Sequence, residues 1–311
     1  MTNAPRGSKN ERRDAAREKA REQRLRQQRR ERRNKVALQA TIGVVIIAIV
    51  AVVAVIIVNS VRPPGPGPRN MANGGISIEG AGLTAVTTAA PSADATPTPQ
   101  TTVKGGKVLI QAYEDFGCPA CQTFEQTSGT QIKALITSGA AVVQYHPIAI
   151  LDQRFTDGNY STRAANAAAA VANYSPNTFP AFHSLLYETS VQPKEGTAGL
   201  TDDRLIALVK QVKPTNLAQI TKAIRDQTFK NWVGQRTDEF TSDSGPLKGV
   251  DFSQRLLPDG SPAGPSTPTV LVNGQYWDGK TDFGSFVTSV GGAISTASPT
   301  PTPTPTPSAS N

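Results

Sequence analysis

The 311-residue sequence has few of the residues that usually build metal or disulfide frameworks. It has two cysteines, two histidines and two tryptophans. Two cysteines cannot form a multi-bridge scaffold, and His146 and His183 stand alone, without the paired spacing of a zinc site. Aromatic residues are 6% and hydrophobic residues 38% of the chain, while 24 prolines and 26 glycines leave part of it unable to pack. Charge of one sign is also scarce outside one stretch. Residues 1–35 hold fourteen Lys/Arg against five Asp/Glu, or +9; with a whole-chain charge of +8, the remaining 276 residues sum to −1. The basicity is therefore confined to a tail, and a nucleic-acid-binding surface on the folded part is not expected.

The stretch after the tail gives the basic charge a different explanation. Residues 36–58, VALQATIGVVIIAIVAVVAVIIV, contain no charge. At 1.5 Å per residue they reach ~34 Å, enough for a bilayer core of about 30 Å. A cleavable leader has a shorter apolar region and a small-residue cleavage site, and NSVRPPGPGP offers no good one. The expectation is one uncleaved transmembrane helix. The positive-inside bias sets residues 1–35 in the cytoplasm, against anionic lipid, and everything after the span outside. Residues 59–103, rich in Pro, Gly, Ala, Ser and Thr, read as a spacer, with GISIEG (75–80) able to form an edge strand. Residues 297–311, a Thr-Pro repeat, read as a disordered tail able to carry O-glycans.

The stretch able to form a core is 104–296. Residues 107–115 and 140–151 read as buried strands, with CPACQTFEQT opening a helix between them. Residues 161–173, 179–189, 202–212 and 216–240 read as helices, with Thr201 and Thr215 as caps. TPTVLVNGQYW (267–277) holds a strand, an Asn273–Gly274 turn and a second strand, and residues 282–295 a last helix. The order strand–helix–strand, helical block, hairpin, helix implies an α/β layer architecture with a helical insertion at about 158–245.

The chemistry lies in Cys118 and Cys121. A structural bridge between residues three apart closes too short a loop to stabilise much. Zinc lacks a second ligand pair, and covalent haem would need His where Gln122 stands. A redox-active dithiol fits the surroundings. The strand-to-helix junction sets Cys118 at a helix N-terminus, where the dipole and free N–H groups favour a thiolate. Cys121, one turn in, is the shielded resolving thiol, and Pro119 fits the first helical turn.

YEDFGCPACQTFE, joined far downstream by TPTVLVNG, resembles the DsbA-like branch of the thioredoxin superfamily, of the membrane-anchored kind seen in actinobacteria. The matching positions are Phe116, Cys118, Pro119, Cys121, Phe124, Glu125 and Thr267–Pro268, and the likeness covers about 104–295. It implies a thioredoxin-like fold with an inserted helical domain and a cis Pro268 opposite the cysteines, leaving the Thr267 backbone free to bind a client strand. Two positions depart from the family. Ala120 replaces the His of strongly oxidising members, so a Cys118 thiolate less stabilised than theirs is expected. The family's buried strand acid falls on Ala112, leaving Glu114 and Asp115 nearby; Asp115 is the candidate proton shuttle to Cys121. His146 reads as structural, His183 as surface or helix packing, and Phe229, Trp232 and Phe240 as helix core.

The expected function is a membrane-tethered enzyme forming disulfides in exported, cysteine-containing clients, working as a monomer without metal or organic cofactor. By resemblance, a membrane thiol oxidase resets it. The alternatives are a thiol reductase or isomerase, and a non-enzymatic adaptor at the cell wall.

Overall fold

The computed structural model describes Arg21 and residues 65–291, except 94, 99, 243–244, 254 and 256–262. The expected cytoplasmic tail, transmembrane helix and Thr-Pro tail lie outside the described residues.

Among the described residues, six strands form one sheet. In chain order they are β1 (Ile76–Glu79), β2 (Thr84–Ala85), β3 (Val108–Glu114), β4 (Ala141–Pro147), β5 (Thr269–Val272) and β6 (Gln275–Trp277). Their spatial order is β2-β1-β4-β3-β5-β6. Only β3 and β4 are parallel, and every residue of both is buried, as expected for strands covered on two faces. Ile110 sits at the centre, level with Val143 on one side and Val272 on the other. The crossover between β3 and β4 is α1 (Pro119–Thr137), which buries Cys121, Phe124, Ile132 and Ile136. The β5–β6 turn is formed by Asn273 (φ 47°) and Gly274 (φ 80°), the two left-handed residues such a hairpin needs. The Asn273 side chain also accepts a 2.9 Å hydrogen bond from the Leu109 N–H, pinning the hairpin to β3. After it comes α7 (Phe283–Gly291); for the expected end of that helix, only Gly291 and the residues before it are described.

Between β4 and β5 lie α2 (Tyr160–Tyr174), α3 (Phe179–Leu186), α4 (Asp202–Gln211), α5 (Leu217–Arg225) and α6 (Lys230–Thr241). The alanine run of α2 is fully buried, and its small side chains let α5 and α6 approach. The Thr201 side chain caps α4 by accepting from the Arg204 N–H. Two expectations change here. Thr215 does not cap; α5 starts after Asn216, and the Thr215 N–H is bonded to Ser175 Oγ at 3.2 Å. The expected single helix over 216–240 is broken, because Gln227 takes φ 50° and the Phe229 N–H is claimed by Asn166 Oδ1 at 2.8 Å. A buried acceptor on α2 thus competes successfully with helix continuation.

The largest correction concerns the spacer. GISIEG does form a strand, but more of the segment is folded than that one edge. β1 pairs antiparallel with β4, Ile76 opposite Tyr145, and β2 pairs with β1. Met71, Ile76 and Ile78 are fully buried. Asn70 ties the segment to α2 through a 2.8 Å hydrogen bond to the Ala172 carbonyl. The apolar positions are too few and too widely spaced among Gly, Thr and Ala to announce a core segment from composition.

Candidate active site

Cys118 closes the loop between β3 and α1. It is the N-cap residue, with extended backbone (φ −86°, ψ 118°), and Pro119 occupies the first helical position. Its N–H bonds the Asp115 carbonyl at 2.9 Å, and its carbonyl accepts from Gln192 Nε2 at 3.0 Å. Its Sγ lies 3.4 Å from the Thr267 carbonyl oxygen. The Thr267–Pro268 bond is cis, as the resemblance implied. Gly117 lets the loop pass close to Phe155; a Cβ there would fall 2.5 Å from the ring.

The two sulfurs, present as a dithiol, differ in surroundings. The Cys118 thiol is brought down to about 6, chiefly by the hydrogen bond that Cys121 supplies, with further help from Thr267 and from the backbone N–H groups of Cys121 and Ala120 at the helix start. Ala120 contributes only its backbone. The Cys121 thiol is fully buried and pushed well up by burial, then by its hydrogen bond to Cys118 and by the nearby Glu114. These surroundings favour ionisation at Cys118 and oppose it at the sheltered Cys121.

Asp115, the expected proton shuttle, is brought to the site with both carboxyl oxygens hydrogen-bonded. Its Oδ1 accepts from the Gly117 N–H (2.8 Å) and from Ser161 Oγ (2.6 Å), and its Oδ2 accepts from the Leu151 N–H (2.9 Å). These bonds oppose the upward push of burial, which brings the carboxyl to about 7. With both oxygens engaged, Asp115 fastens three segments together around the cysteine loop.

The acid turned toward the cysteines is Glu114. It stands two residues after Ala112, on the same face of β3, so the acid expected from the family has moved one step along that face. Burial drives it well up, and the Cys118 charge adds to the shift. Its Oε2 lies 2.9 Å from His183 Nε2, and His183 Nδ1 lies 3.9 Å from Glu125 Oε2. His183 is therefore neither surface nor simple packing. Burial lowers its pKa, and Phe116, Tyr145, Phe179 and Tyr187 surround its ring. Burial outweighs charge pairing here, so the contact is best read as a hydrogen bond with the imidazole neutral. One ligand atom from each of Glu114, Glu125 and His183 lies within 4.8 Å of the others; His183 Nε2 is hydrogen-bonded to Glu114, while Nδ1 stands 3.9 Å from Glu125 Oε2, beyond hydrogen-bond reach. Glu125 could have been found from the sequence, since it is one turn beyond Cys121 on the same face of α1. His183 could not, because only the folded chain brings α3 to β3.

His146 is structural, as read: buried, bonded to Gln144 Oε1 at 2.9 Å, stacked on Tyr113, and lowered by burial to about 3. Phe229, Trp232 and Phe240 are core.

Residues 104–246 match the family model described as Thioredoxin. The serine/threonine-protein kinase PknE of Mycobacterium tuberculosis is 31% identical over 115 residues, 36% of this chain and 20% of the kinase. The probable disulfide bond formation protein D of Bacillus cereus is 25% identical over 168 residues, 54% of this chain and 66% of that protein. The chain thus spans between a fifth and two thirds of the length of these relatives. Among solved structures, oxidised DsbA of Mycobacterium tuberculosis matches with a TM-score of 0.51 at 25% identity, over 70% of this chain and 93% of DsbA. With its Cys-Pro-Ala-Cys loop at the start of α1, the cis Thr267–Pro268 bond facing it and the helices inserted between β4 and β5, the folded part of the chain is a thioredoxin-like domain similar to the DsbA-type thiol–disulfide oxidoreductases.

Proposed function

We propose that the protein is a membrane-tethered, extracytoplasmic thiol–disulfide oxidoreductase that forms disulfides in exported proteins. The observation that carries this is the asymmetry of the pair: Cys118 stands at a helix start 3.4 Å from the Thr267 carbonyl with its thiol brought down to about 6, while Cys121 is wholly buried behind it. In the working direction a client thiolate attacks Cys118 Sγ of the Cys118–Cys121 disulfide. The S–S bond breaks, Cys121 leaves, and a client–Cys118 mixed disulfide forms. A second client thiolate attacks the client sulfur, and Cys118 departs. A Cys118 thiol near 6 is a good leaving group at neutral pH, and this favours passing the disulfide to the client. Beside the pair runs a cleft lined by Ala120, Phe124, Thr267, Pro268, Tyr276 and Trp277, suited to an extended client segment.

The tether rests on the apolar span at 36–58 and its basic flank, which support a single-pass topology with the N-terminus cytoplasmic and the domain outside. A monomer reset by a membrane thiol oxidase completes the scheme. Trapping thiols in intact cells tests it: a mostly oxidised Cys118–Cys121 pair is expected, and a mostly reduced pair assigns the protein to reduction or isomerisation instead. An alkylating reagent that does not cross membranes tests the topology, since it should reach Cys118 without lysis.

A further inference from the structure

The cleft beside the cysteines holds one charge that nothing compensates. From α1 it is lined by Ala120, Thr123, Phe124 and Thr127, and both threonine hydroxyls are engaged inside the helix. Thr123 Oγ1 donates to the Pro119 carbonyl at 3.1 Å, and Thr127 Oγ1 to the Thr123 carbonyl at 2.8 Å. The Trp277 indole N–H is likewise engaged, by the Thr281 carbonyl at 2.8 Å. Two charged side chains remain, Asp278 and Arg255. Asp278 is compensated: its Oδ1 accepts from the Lys280 N–H at 2.9 Å, and its Oδ2 lies 3.8 Å from Lys280 Nζ. Arg255 is not. Its Nη1 is buried without a hydrogen-bond partner, and no carboxylate among the described residues forms an ion pair with the guanidinium.

The backbone fixes Arg255 at the cleft. Its N–H donates to the Phe252 carbonyl at 2.8 Å, closing a tight turn, and its carbonyl accepts from the Ala263 N–H at 2.8 Å. The Phe252 ring packs on Tyr276 with centroids 4.9 Å apart, beside the small core of Tyr113, Phe240 and Leu271. The turn is thereby held against β6, which itself supplies Tyr276 and Trp277 to the cleft. A buried donor left unpaired is unfavourable, and that deficit ends when a ligand oxygen reaches it. The planar guanidinium is matched in shape and charge by a carboxylate.

Resting on the exchange reading above, we propose that Arg255 determines specificity: it binds a carboxylate side chain of the client within about three residues of the reacting cysteine, so that acidic client segments are chosen over neutral and basic ones. The cleft opens on the reacting sulfur, since it includes Thr267, whose carbonyl lies 3.4 Å from Cys118 Sγ. An extended client advances about 3.3 Å per residue, so three residues span roughly 10 Å, the scale of the cleft. Arg255 forms only an ion pair; the sulfur bonds made and broken are those of the exchange already described. The guanidinium has a second effect. In solution an acidic neighbour raises a thiol's pKa and slows its attack. In the cleft, Arg255 offsets that charge.

The two effects give the test opposite signs. The oxidised full chain is mixed with single-cysteine peptides in which Glu, Gln or Lys is moved one position at a time, from three before the cysteine to three after it. The peptide–Cys118 mixed disulfide is followed by acid quench and mass. At one position or more, Glu should react roughly tenfold faster than Gln, the scale of one charge-assisted hydrogen bond, through a lower half-saturating concentration, and Lys should be slowest. Against hydroxyethyl disulfide, which has no guanidinium, the same Glu peptides should be the slow ones. Arg255→Gln should abolish the preference, and Arg255→Lys should keep part of it. A wild type that ranks the peptides as hydroxyethyl disulfide does at every position overturns the proposal, as does a preference that survives in Arg255→Gln. A wild type that exchanges with none of the peptides overturns the functional reading instead. Should the variants misfold, salt decides in the wild type: raising it from about 0.05 to about 0.5 M should shrink the Glu preference, and a preference indifferent to salt overturns the proposal.

Discussion

Reduced protein titrated by thiolate absorbance should show Cys118 ionising at about 6, and replacing Cys121 by Ala should move the midpoint upward by about one unit or more, because the Cys121 hydrogen bond is the largest cause of the depression. That depression also sets the sign for stability. A thiol whose pKa falls on folding contributes stability that is complete above the unfolded value near 9 and is lost as pH falls through about 6. Glu125 works oppositely: raised from 4.5 to about 8, it costs stability progressively as pH rises between those values. It does so in both redox forms, so the melting temperature of the reduced form minus that of the oxidised form should rise from pH 6 to 9. Replacing Asp115 with Asn leaves its three donors imperfectly matched and should cost ~1–3 kcal/mol in urea unfolding. It should leave the pH profile of exchange in place, whereas a proton shuttle would change that profile. Residues announced by local chemistry were legible in the sequence: Cys118, Cys121 and Pro119 from their spacing at a strand–helix junction, and Pro268 from the family pattern. Glu114 and His183 were not, because their partnership depends on β3 and α3 meeting across 69 residues.

At the scale of elements, the segments with strong local signals formed as read: β3, β4, α1, α4 with its Thr201 cap, and the Asn273–Gly274 hairpin. Those that departed did so where a distant group intervened, as at the α5–α6 break, where Asn166 holds the Phe229 N–H. The loop carrying the cysteines depends on a similar close approach. Gly117→Ala would drive a methyl against the Phe155 ring, which is itself packed on Tyr160. A cost of ~1–3 kcal/mol is expected from such overpacking, read as a lower urea midpoint with unchanged slope.

For the whole molecule, the sheet ends in short strands on both sides, β2 with two residues and β6 with three, which blunts edge pairing with other chains. β1 covers the outer edge of β4. A chain truncated to begin at residue 104 would lose Met71, Ile76 and Ile78 from the core, at ~1.5–3 kcal/mol per side chain, and would bare the β4 edge. It should aggregate or melt well below a chain beginning at residue 65; equal melting temperatures would return the segment to the role of spacer. Asp115 has a bearing on how such proteins can be remade. Its carboxylate joins the cysteine loop at Gly117 to the exit of β4 at Leu151 and to the first turn of α2 at Ser161, and Gln192 grips the same loop from the insertion. A helical insertion exchanged between relatives must therefore keep residues 151–161 and Gln192 of its host. Its outer turns can be redrawn freely, but its root belongs to the thiol.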